Sequence, residues 1–185
     1  MVLLLVAGAA CIGLLILQLG LQRVFAVAPK LQSPSDAPLL STSLSVVIPA
    51  YNEAANIADC LSGVLNSEIP CSSWQVLVVD DDSSDATADL VLRTLAEHGQ
   101  SAADVQLVQA GPRPEGERWV GKNWACTRAM EQVSSSWVLF IDADVRLRPQ
   151  TLRRALAQAT REQADLFSLA PRLVCGCLAE WMVQP

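Results

Sequence analysis

The chain has 185 residues, 51% of them hydrophobic, and a formal net charge of −6 at pH 7. This length allows one domain of ordinary size and an appendage, and the acidic balance argues against nucleic acid as a partner. Among the six scattered cysteines, only Cys175 and Cys177 lie close together. They lack the second pair of ligands that a zinc site needs, so we expect reduced and mostly buried thiols.

The N-terminal segment carries much of the hydrophobic excess. Residues 2–21 contain no charged side chain, and at ~1.5 Å per residue a helix of this length crosses a bilayer core of ~30 Å. We therefore predict a transmembrane anchor over residues 1–28, since the uninterrupted run argues against a buried core helix. A cleaved signal peptide is the rival interpretation, because residues 26–28 resemble a cleavage site. Against it, no basic residue precedes the run and Pro29 would follow the cut.

The charges after the anchor predict its orientation. Arg23 and Lys30 follow the apolar run, and the positive-inside rule assigns such residues to the cytoplasm. We expect a single-pass protein of the cell membrane with a cytoplasmic domain. Residues 29–43 are rich in Pro and Ser, which predicts a linker, and residues 44–185 would form the domain.

The rest of the chain predicts an α/β fold in which helices flank a mostly parallel sheet. Apolar runs predict strands at residues 44–48, 74–79, 105–109, 137–141 and 166–170. Helical spacing follows at residues 54–66 and 86–98, after Lys122 as far as residue 133, and at residues 150–159. The five apolar residues at 137–141 are typical of a buried central strand.

Local propensities predict how three of these helices begin. Asn52 would cap the helix at residues 54–66, and Ser84 or Asp85 would cap the one at residues 86–98. Pro149 would take the favoured first position of the helix at residues 150–159.

Two acids, Asp142 and Asp144, directly follow the strand at residues 137–141. Ligands of open α/β sheets bind beyond the carboxyl ends of strands, where adjacent carboxylates need a positive partner. A divalent cation carried by a phosphate-bearing ligand fits, because hard cations prefer oxygen ligands. The alternative is that an acid here only caps the next helix.

The other strand ends carry polar side chains with two interpretations each. Tyr51 and Glu53 belong either to a loop and cap or to the wall of a site for a base or ribose. The three aspartates at residues 80–82 exceed what capping requires, and carboxylates accept well from base N–H groups and ribose hydroxyls. Lys122 is either a solvated first-turn residue or a ligand for a diphosphate, together with free backbone N–H groups.

Three motifs stand in order along the chain: Val-Ile-Pro-Ala-Tyr-Asn-Glu at residues 47–53, Val-Val-Asp-Asp-Asp-Ser-Ser-Asp at residues 78–85, and Asp-Ala-Asp at residues 142–144. This combination resembles the family 2 glycosyltransferases, which have the GT-A fold. The sequence Gly-Lys-Asn-Trp-Ala at residues 121–125 resembles that of a family branch that glycosylates membrane lipids such as hopanoids or carotenoids.

The resemblance implies a role for each matching residue. It implies that Pro49, Tyr51 and Glu53 line the nucleotide pocket and that Asp81 contacts the base. Asp144 would bind Mn²⁺ or Mg²⁺, with Asp142 near the ribose or the metal. The family usually has glycine at the position of Asp82, and aspartate tolerates the left-handed turn better than most residues.

The catalytic base that the resemblance implies has no clear match. In the family it is an acid, often in a Glu-Asp pair, well downstream of the Asp-x-Asp motif, and no such pair follows Asp144. Glu180 is a weak candidate. We therefore expect the chain to be the donor-binding half of a longer protein, able to bind a nucleotide without transferring sugar.

The first hypothesis is thus a membrane-anchored, inverting glycosyltransferase that moves a sugar from a nucleotide-sugar donor, a UDP-sugar, to a lipid or polyisoprenoid hydroxyl. The alternative is a truncated, non-catalytic remnant that binds a nucleotide or a partner subunit. A phospho-acceptor receiver domain ranks last, because it leaves the Tyr-Asn-Glu loop unexplained.

Overall fold

A computed structural model of the chain describes residues 2–27, 30–31, 39–99, 103–116, 118 and 122–170. The chain divides into two compact units, one formed by residues 1–31 and 168–185 and the other by residues 32–167. The helices are α1 (Val2–Val27), α2 (Ile57–Leu65), α3 (Thr87–His98), α4 (Asn123–Met130) and α5 (Thr151–Arg161). The strands are β1 (Leu40–Ala50), β2 (Cys71–Asp80), β3 (Asp104–Gln109) and β4 (Trp137–Phe140).

The second unit is built on a parallel sheet of four described strands in the order β3-β2-β1-β4. Ala50 pairs with Asp80, and Asp80 pairs with Gln109, so three strands end level with one another. The amide of Ile141 extends the β4 ladder by donating to the carbonyl of Val47 at 3.0 Å. All four carboxyl ends therefore lie along one edge of the sheet, and the predicted parallel α/β fold is confirmed.

Both faces of the sheet are covered by helices. Successive residues of β1 and β2 point to opposite faces, so Val46 and Val78 pack into one core and Val47 and Val79 into the other. The first core includes buried side chains of α2, α3 and α5, and the second includes those of α4. Because a strand covered on both faces is apolar throughout, the runs in β1 and β2 are almost continuous.

The strand predicted at residues 137–141 is present as β4, but in the part of the chain that the structure describes it lies at an edge of the sheet rather than at its centre. Among the described strands, β4 pairs only with β1 and forms one edge of the sheet, and Phe140 at its end is 47% exposed. An apolar run of this length does not reveal how many neighbours a strand has.

Three predicted boundaries also change. Strand β1 begins at Leu40, so residues 40–43 of the predicted linker belong to it, and Leu40 and Ser43 pair with β2 on either side of an irregularity in the register. Gln150 is the residue that precedes the first turn of α5, which leaves Pro149 outside the helix. The predicted strand at residues 166–170 is absent, and Leu166 is exposed rather than packed in a sheet.

Helix α1 belongs to the first unit. Its segment Val6–Val24 is, by length and composition alone, apolar enough to cross a membrane, and it is the only such segment in the part of the chain that the structure describes. A signal sequence near an N-terminus meets the same criteria.

Candidate functional site

The connections after the four strands meet at one edge of the sheet and carry the candidate site. Tyr51, Asp81, Ala110 and Ile141 are the first residues beyond β1, β2, β3 and β4. Two backbone hydrogen bonds join neighbouring connections directly, from Asp81 N to Ala50 O and from Ala110 N to Asp80 O, both at 2.9 Å. The connections after β2 and β3 are therefore each fastened to the end of the neighbouring strand.

A polar clasp joins the connection after β1 to the connection after β2. In each bond a backbone amide of one connection donates to a side-chain oxygen of the other, and the distances lie between 2.8 and 3.1 Å. The four bonds are Asn52 N to Ser83 Oγ, Glu53 N to Thr87 Oγ1, Ala54 N to Asp85 Oδ2, and Ser84 N to Asn52 Oδ1. The clasp fixes the loop that carries Tyr51 relative to the loop that carries Asp81.

The clasp corrects the role predicted for Asn52. Asn56, not Asn52, precedes α2, and Asn52 has a φ of +54°. Its side-chain oxygen accepts from a residue 32 positions away instead of from its own helix. Asn is one of the few residues that adopts the left-handed region readily, which explains why this position suits it.

Asp82 occupies the second left-handed turn of the edge, with a φ of +63°. This is the position where the family resemblance leads one to expect glycine. The backbone conformation is the one expected there, so aspartate is accommodated without a change of path. The carboxylate is exposed and adds charge beside Asp81.

Asp85 is the anchor of the clasp. Its carboxylate accepts from the amide of Thr87 at 2.9 Å and from the Thr87 hydroxyl, and it also accepts from Ala54 N. These hydrogen bonds, the one from the Thr87 hydroxyl above all, lower the pKa of Asp85. The predicted cap at Ser84 or Asp85 is therefore wrong, because Ala86 is the cap residue of α3, but Asp85 still accepts from the amide of Thr87, the first residue of the helix.

The predicted nucleotide-binding residues lie around the clasp. Pro49 is buried at the end of β1, beyond the last residue that pairs with β4, so its missing N–H breaks no bond to that strand. Tyr51 is 61% exposed. Glu53 is half-buried and accepts from Asn56 Nδ2 at 3.0 Å through Oε2.

Asp81 is only 8% exposed and forms an ion pair with Arg113, from the connection after β3. Burial of a carboxylate is unfavourable unless a positive group accompanies it. Arg113 supplies that charge while its own side chain remains half-exposed. The sequence did not reveal Arg113, because it lies in a non-periodic loop far from Asp81 in the chain.

The two acids after β4 lie on a tight turn. Val145 N donates to Asp142 O at 3.0 Å, which closes the turn around the buried Ala143. Both carboxylates are exposed. Asp142 forms an ion pair with Lys122, the residue that immediately precedes α4, so the structure brings together two of the predicted site residues.

Arg146 holds this turn against α2. Its guanidinium donates to Ala143 O at 3.4 Å, to Asn56 Oδ1 at 3.4 Å and to Asp59 Oδ2 at 3.3 Å. Asn56 in turn contacts Glu53, so a chain of polar contacts joins the β4 turn to the loop after β1. Sequence reasoning missed this residue as well.

Cys60 lies beneath the same group of charges. Its thiol donates to Asp142 O at 3.6 Å. Burial raises the pKa of the Cys60 thiol to about 12, opposed by Arg146 and reinforced by the carboxylates of Asp144, Glu53 and Asp142. The thiol therefore stays protonated at neutral pH, and its contact with Asp142 O places it directly beneath the turn after β4.

The donor set of Asp142 and Asp144 fits a divalent cation of the Mg²⁺ or Mn²⁺ type. Both offer exposed carboxylate oxygens, the ligands that hard cations prefer. Within the described residues no three Asp, Glu, His or Cys side chains converge as a metal site. Asp142 and Asp144 would thus be the ligands from the described part of the chain, with other positions of the cation available to water and phosphate.

The start of α4 is fastened to the connection after β3. Trp124 Nε1 donates to Gly111 O at 2.9 Å and Arg128 Nε donates to Ala110 O at 3.1 Å. The Arg128 guanidinium also lies 5.7 Å from the centre of the Trp124 ring. The connection that carries Arg113 is therefore held at its beginning, next to the helix that Lys122 precedes.

The pKa of Asp85 predicts how the stability of the clasp depends on pH. A lowered folded-state pKa means that the contribution of Asp85 is complete above the ordinary value of 3.8 and is lost as the pH falls below it. We expect Asp85→Asn to lower the unfolding midpoint at pH 5–7 and to differ less from the parent near pH 3. Thermal unfolding followed by tryptophan fluorescence measures this.

Asp89→Asn is the matched control, since Asp89 is an exposed acid in the first turn of the same helix. Its unfolding midpoint should follow that of the parent across this pH range. Equal effects of the two substitutions would show that charge at the start of α3, and not the clasp, accounts for the change.

Comparison with known proteins agrees with the geometry. The family model "Glycosyl transferase family 2" matches residues 45–184. The 4,4'-diaponeurosporenoate glycosyltransferase of Staphylococcus haemolyticus is 30% identical over 131 residues, which is 70% of this chain and 32% of that protein. The chain spans about a third of the length of such curated relatives.

Two solved structures show the same fold with ligands. The mannosyltransferase PcManGT from Pyrobaculum calidifontis, in complex with GDP-Man and Mn²⁺, is 33% identical with a TM-score of 0.53, covering 73% of this chain and 37% of that one. S. aureus TarS 1-349 in complex with UDP is 26% identical with a TM-score of 0.50, covering 65% of this chain and 33% of that one. The chain belongs to glycosyl transferase family 2 and has the GT-A fold.

Proposed function

We propose that the protein is the donor-binding part of a membrane-anchored, inverting glycosyltransferase. It moves a sugar from a nucleotide-sugar, a UDP-sugar, to a hydroxyl of a lipid or polyisoprenoid. The observation that carries the proposal is the gathering of Glu53, Asp81, Asp142 and Asp144 at one edge of the sheet, next to the cations Arg113 and Lys122.

The nucleotide lies against the connections after β1 and β2. The exposed ring of Tyr51 stacks on the base or ribose, and Asp81 accepts from a base N–H, for which an almost buried carboxylate is well suited. The clasp keeps these two side chains at a fixed separation. Of the relatives named above, one holds UDP and the other GDP-Man. We therefore base the preference for uracil on Asp81.

The diphosphate lies between the β4 turn and the start of α4. Asp142 and Asp144 would hold the divalent cation, which when bound supplies a Lewis acid that stabilises charge on the departing diphosphate. Lys122 donates to the same diphosphate, together with the backbone N–H groups at the start of α4. PcManGT, with its Mn²⁺, supports a divalent cation for this chain.

Transfer requires three changes of bonding. The acceptor hydroxyl oxygen attacks the anomeric carbon, the bond from that carbon to the diphosphate oxygen breaks with its electron pair, and the hydroxyl proton passes to a general base. Within the described residues we assign no such base, because the acids of this edge already serve the donor. Glu180, the weak candidate from the sequence, lies outside the described residues.

The lipid acceptor and the membrane position are supported together by α1. A helix of this length and composition would keep the site close to a bilayer. The relative from Staphylococcus haemolyticus is named for transfer to 4,4'-diaponeurosporenoate, which supports the lipid-glycosylating branch. Arg23, at the end of the apolar segment, and Lys30, after it, favour a cytoplasmic domain.

Nucleotide binding tests the proposal. In the presence of Mn²⁺, the full chain in detergent micelles should bind UDP more tightly than GDP or CDP. Asp144→Ala should lose the Mn²⁺-dependent part of this affinity and Asp142→Ala should lose less, since an exposed acid on a turn contributes little to folding. Isothermal titration calorimetry measures each affinity.

Circular dichroism of each variant establishes that it is folded. Equal or absent binding of the three nucleotides by the folded parent would contradict the donor assignment. Undiminished Mn²⁺–UDP binding by Asp144→Ala would show that the two acids after β4 serve the fold rather than a metal.

A topology reporter tests the orientation. With Arg23 and Lys30 on the inner side, a fluorescent or enzymatic reporter fused after Pro185 should be active in the cytoplasm. Arg23→Glu combined with Lys30→Glu should weaken this preference, because the distribution of basic residues sets the orientation. Reporter activity on the outer side of the membrane would contradict the cytoplasmic donor site.

A further inference from the structure

Two side chains that the proposed function assigns to the donor and its cation are already in ion pairs. Asp81 is paired with Arg113, and Asp142 with Lys122. The two basic residues lie between β3 and α4, and the two acids lie one and two residues beyond the ends of β2 and β4. The protein thus neutralises part of its own acidic edge from a single connection.

The two pairs differ in how easily a ligand can replace the base. The Asp81 side chain is 9% exposed, so separating it from Arg113 would leave a buried, unpaired charge. The side chains of Lys122 and Asp142 are 55% and 58% exposed, and ion pairs between such exposed groups contribute little net stability. The Lys122–Asp142 ion pair is therefore the one that separates more easily when a more strongly charged ligand binds.

Each member of the open pair has such a partner in the proposed complex. Asp142 and Asp144 lie two residues apart on one turn and would hold a divalent cation, whose charge is twice that of the Lys122 ammonium. A diphosphate offers the released ammonium several charged oxygens within reach of the start of α4. Lysine suits this exchange, because its ammonium is a compact charge on a flexible stem.

We propose that Lys122 is an internal counter-ion that occupies Asp142 until the divalent cation displaces it, and that its transfer to the diphosphate makes the cation and the nucleotide bind cooperatively. This inference rests on the proposed function. Lys122 opposes the cation when the nucleotide is absent and favours the ternary complex when the nucleotide is present.

The exchange predicts effects of opposite sign for one substitution. In Lys122→Met the Asp142 carboxylate has lost its competitor, so Mn²⁺ alone should bind about two- to fivefold more tightly than to the parent. At saturating Mn²⁺ the same variant should bind UDP about tenfold more weakly, because a charge-assisted contact to the diphosphate is gone. UDP strengthens Mn²⁺ binding by the same factor by which Mn²⁺ strengthens UDP binding, because the two effects are thermodynamically linked. In Lys122→Met both factors should therefore fall by the same amount.

The experiment uses the full chain in detergent micelles. Electron paramagnetic resonance of free Mn²⁺ gives the affinity for the metal alone, and calorimetry at saturating Mn²⁺ gives the affinity for UDP. Lys122→Arg keeps a positive side chain at the position and should remain within about twofold of the parent for Mn²⁺ alone. Arg148→Met removes an equal charge from an exposed position shortly after Asp144 and controls for the general electrostatic effect.

The outcomes separate this inference from the function on which it rests. Tighter Mn²⁺ binding and weaker UDP binding in Lys122→Met, with both absent in Arg148→Met, support the exchange. Unchanged Mn²⁺ affinity in Lys122→Met, or equal tightening in Arg148→Met, overturns the exchange while Mn²⁺–UDP binding by the parent keeps the donor site. A folded parent that binds no Mn²⁺–UDP overturns both.

Discussion

Electrostatic repulsion among acids at one sheet edge is the constraint on which the site depends. Parallel pairing places the carboxyl ends of β1, β2 and β4 at the same edge of the sheet, and each of these strands is followed by carboxylates. A carboxylate without a hydrogen bond or a positive partner is unfavourable wherever water is partly excluded. The protein answers this constraint in a different way at each strand end.

Asp85 is stabilised by hydrogen bonds within the protein. Asp85 accepts from backbone amides and a hydroxyl and so becomes part of the scaffold. The acids nearer the strand ends take cations instead, Arg113 for Asp81 and Lys122 for Asp142. Asp85 is therefore a structural acid, whereas Asp81 and Asp142 are the acids assigned to the ligand. The buried Asp81–Arg113 pair is fixed, and the exposed Asp142–Lys122 pair can be replaced.

The sequence predicted what depends on positions along the chain. Strands that end in acids are visible as apolar runs followed by aspartates, so the location of Asp81, Asp142 and Asp144 at the carboxyl edge followed directly. The left-handed turn at Asp82 was also predictable, because its motif has glycine in the family. The parallel α/β sheet was predictable as well, because predicted strands alternate with predicted helices along the chain.

The sequence did not predict what depends on contacts between distant segments. Asn52 has a high capping propensity, yet tertiary acceptors and donors from the next connection determined its role. Arg113 and Arg146 lie in loops without periodicity, so only the folded chain reveals their partners. The edge position of β4 among the described strands was missed, because an apolar run of this length is equally typical of a central strand.

Paramagnetic broadening by Mn²⁺ tests most directly whether the acidic edge holds the donor and its cation. The account predicts that UDP with Mn²⁺ selectively broadens the backbone amide signals around Asp144, Tyr51 and Lys122 in an isotopically labelled full chain, with diamagnetic Mg²⁺–UDP as the reference. Signals at the opposite end of the sheet, such as that of His98 at the end of α3, should stay sharp. Uniform broadening, or broadening centred away from the β4 turn, would contradict the account.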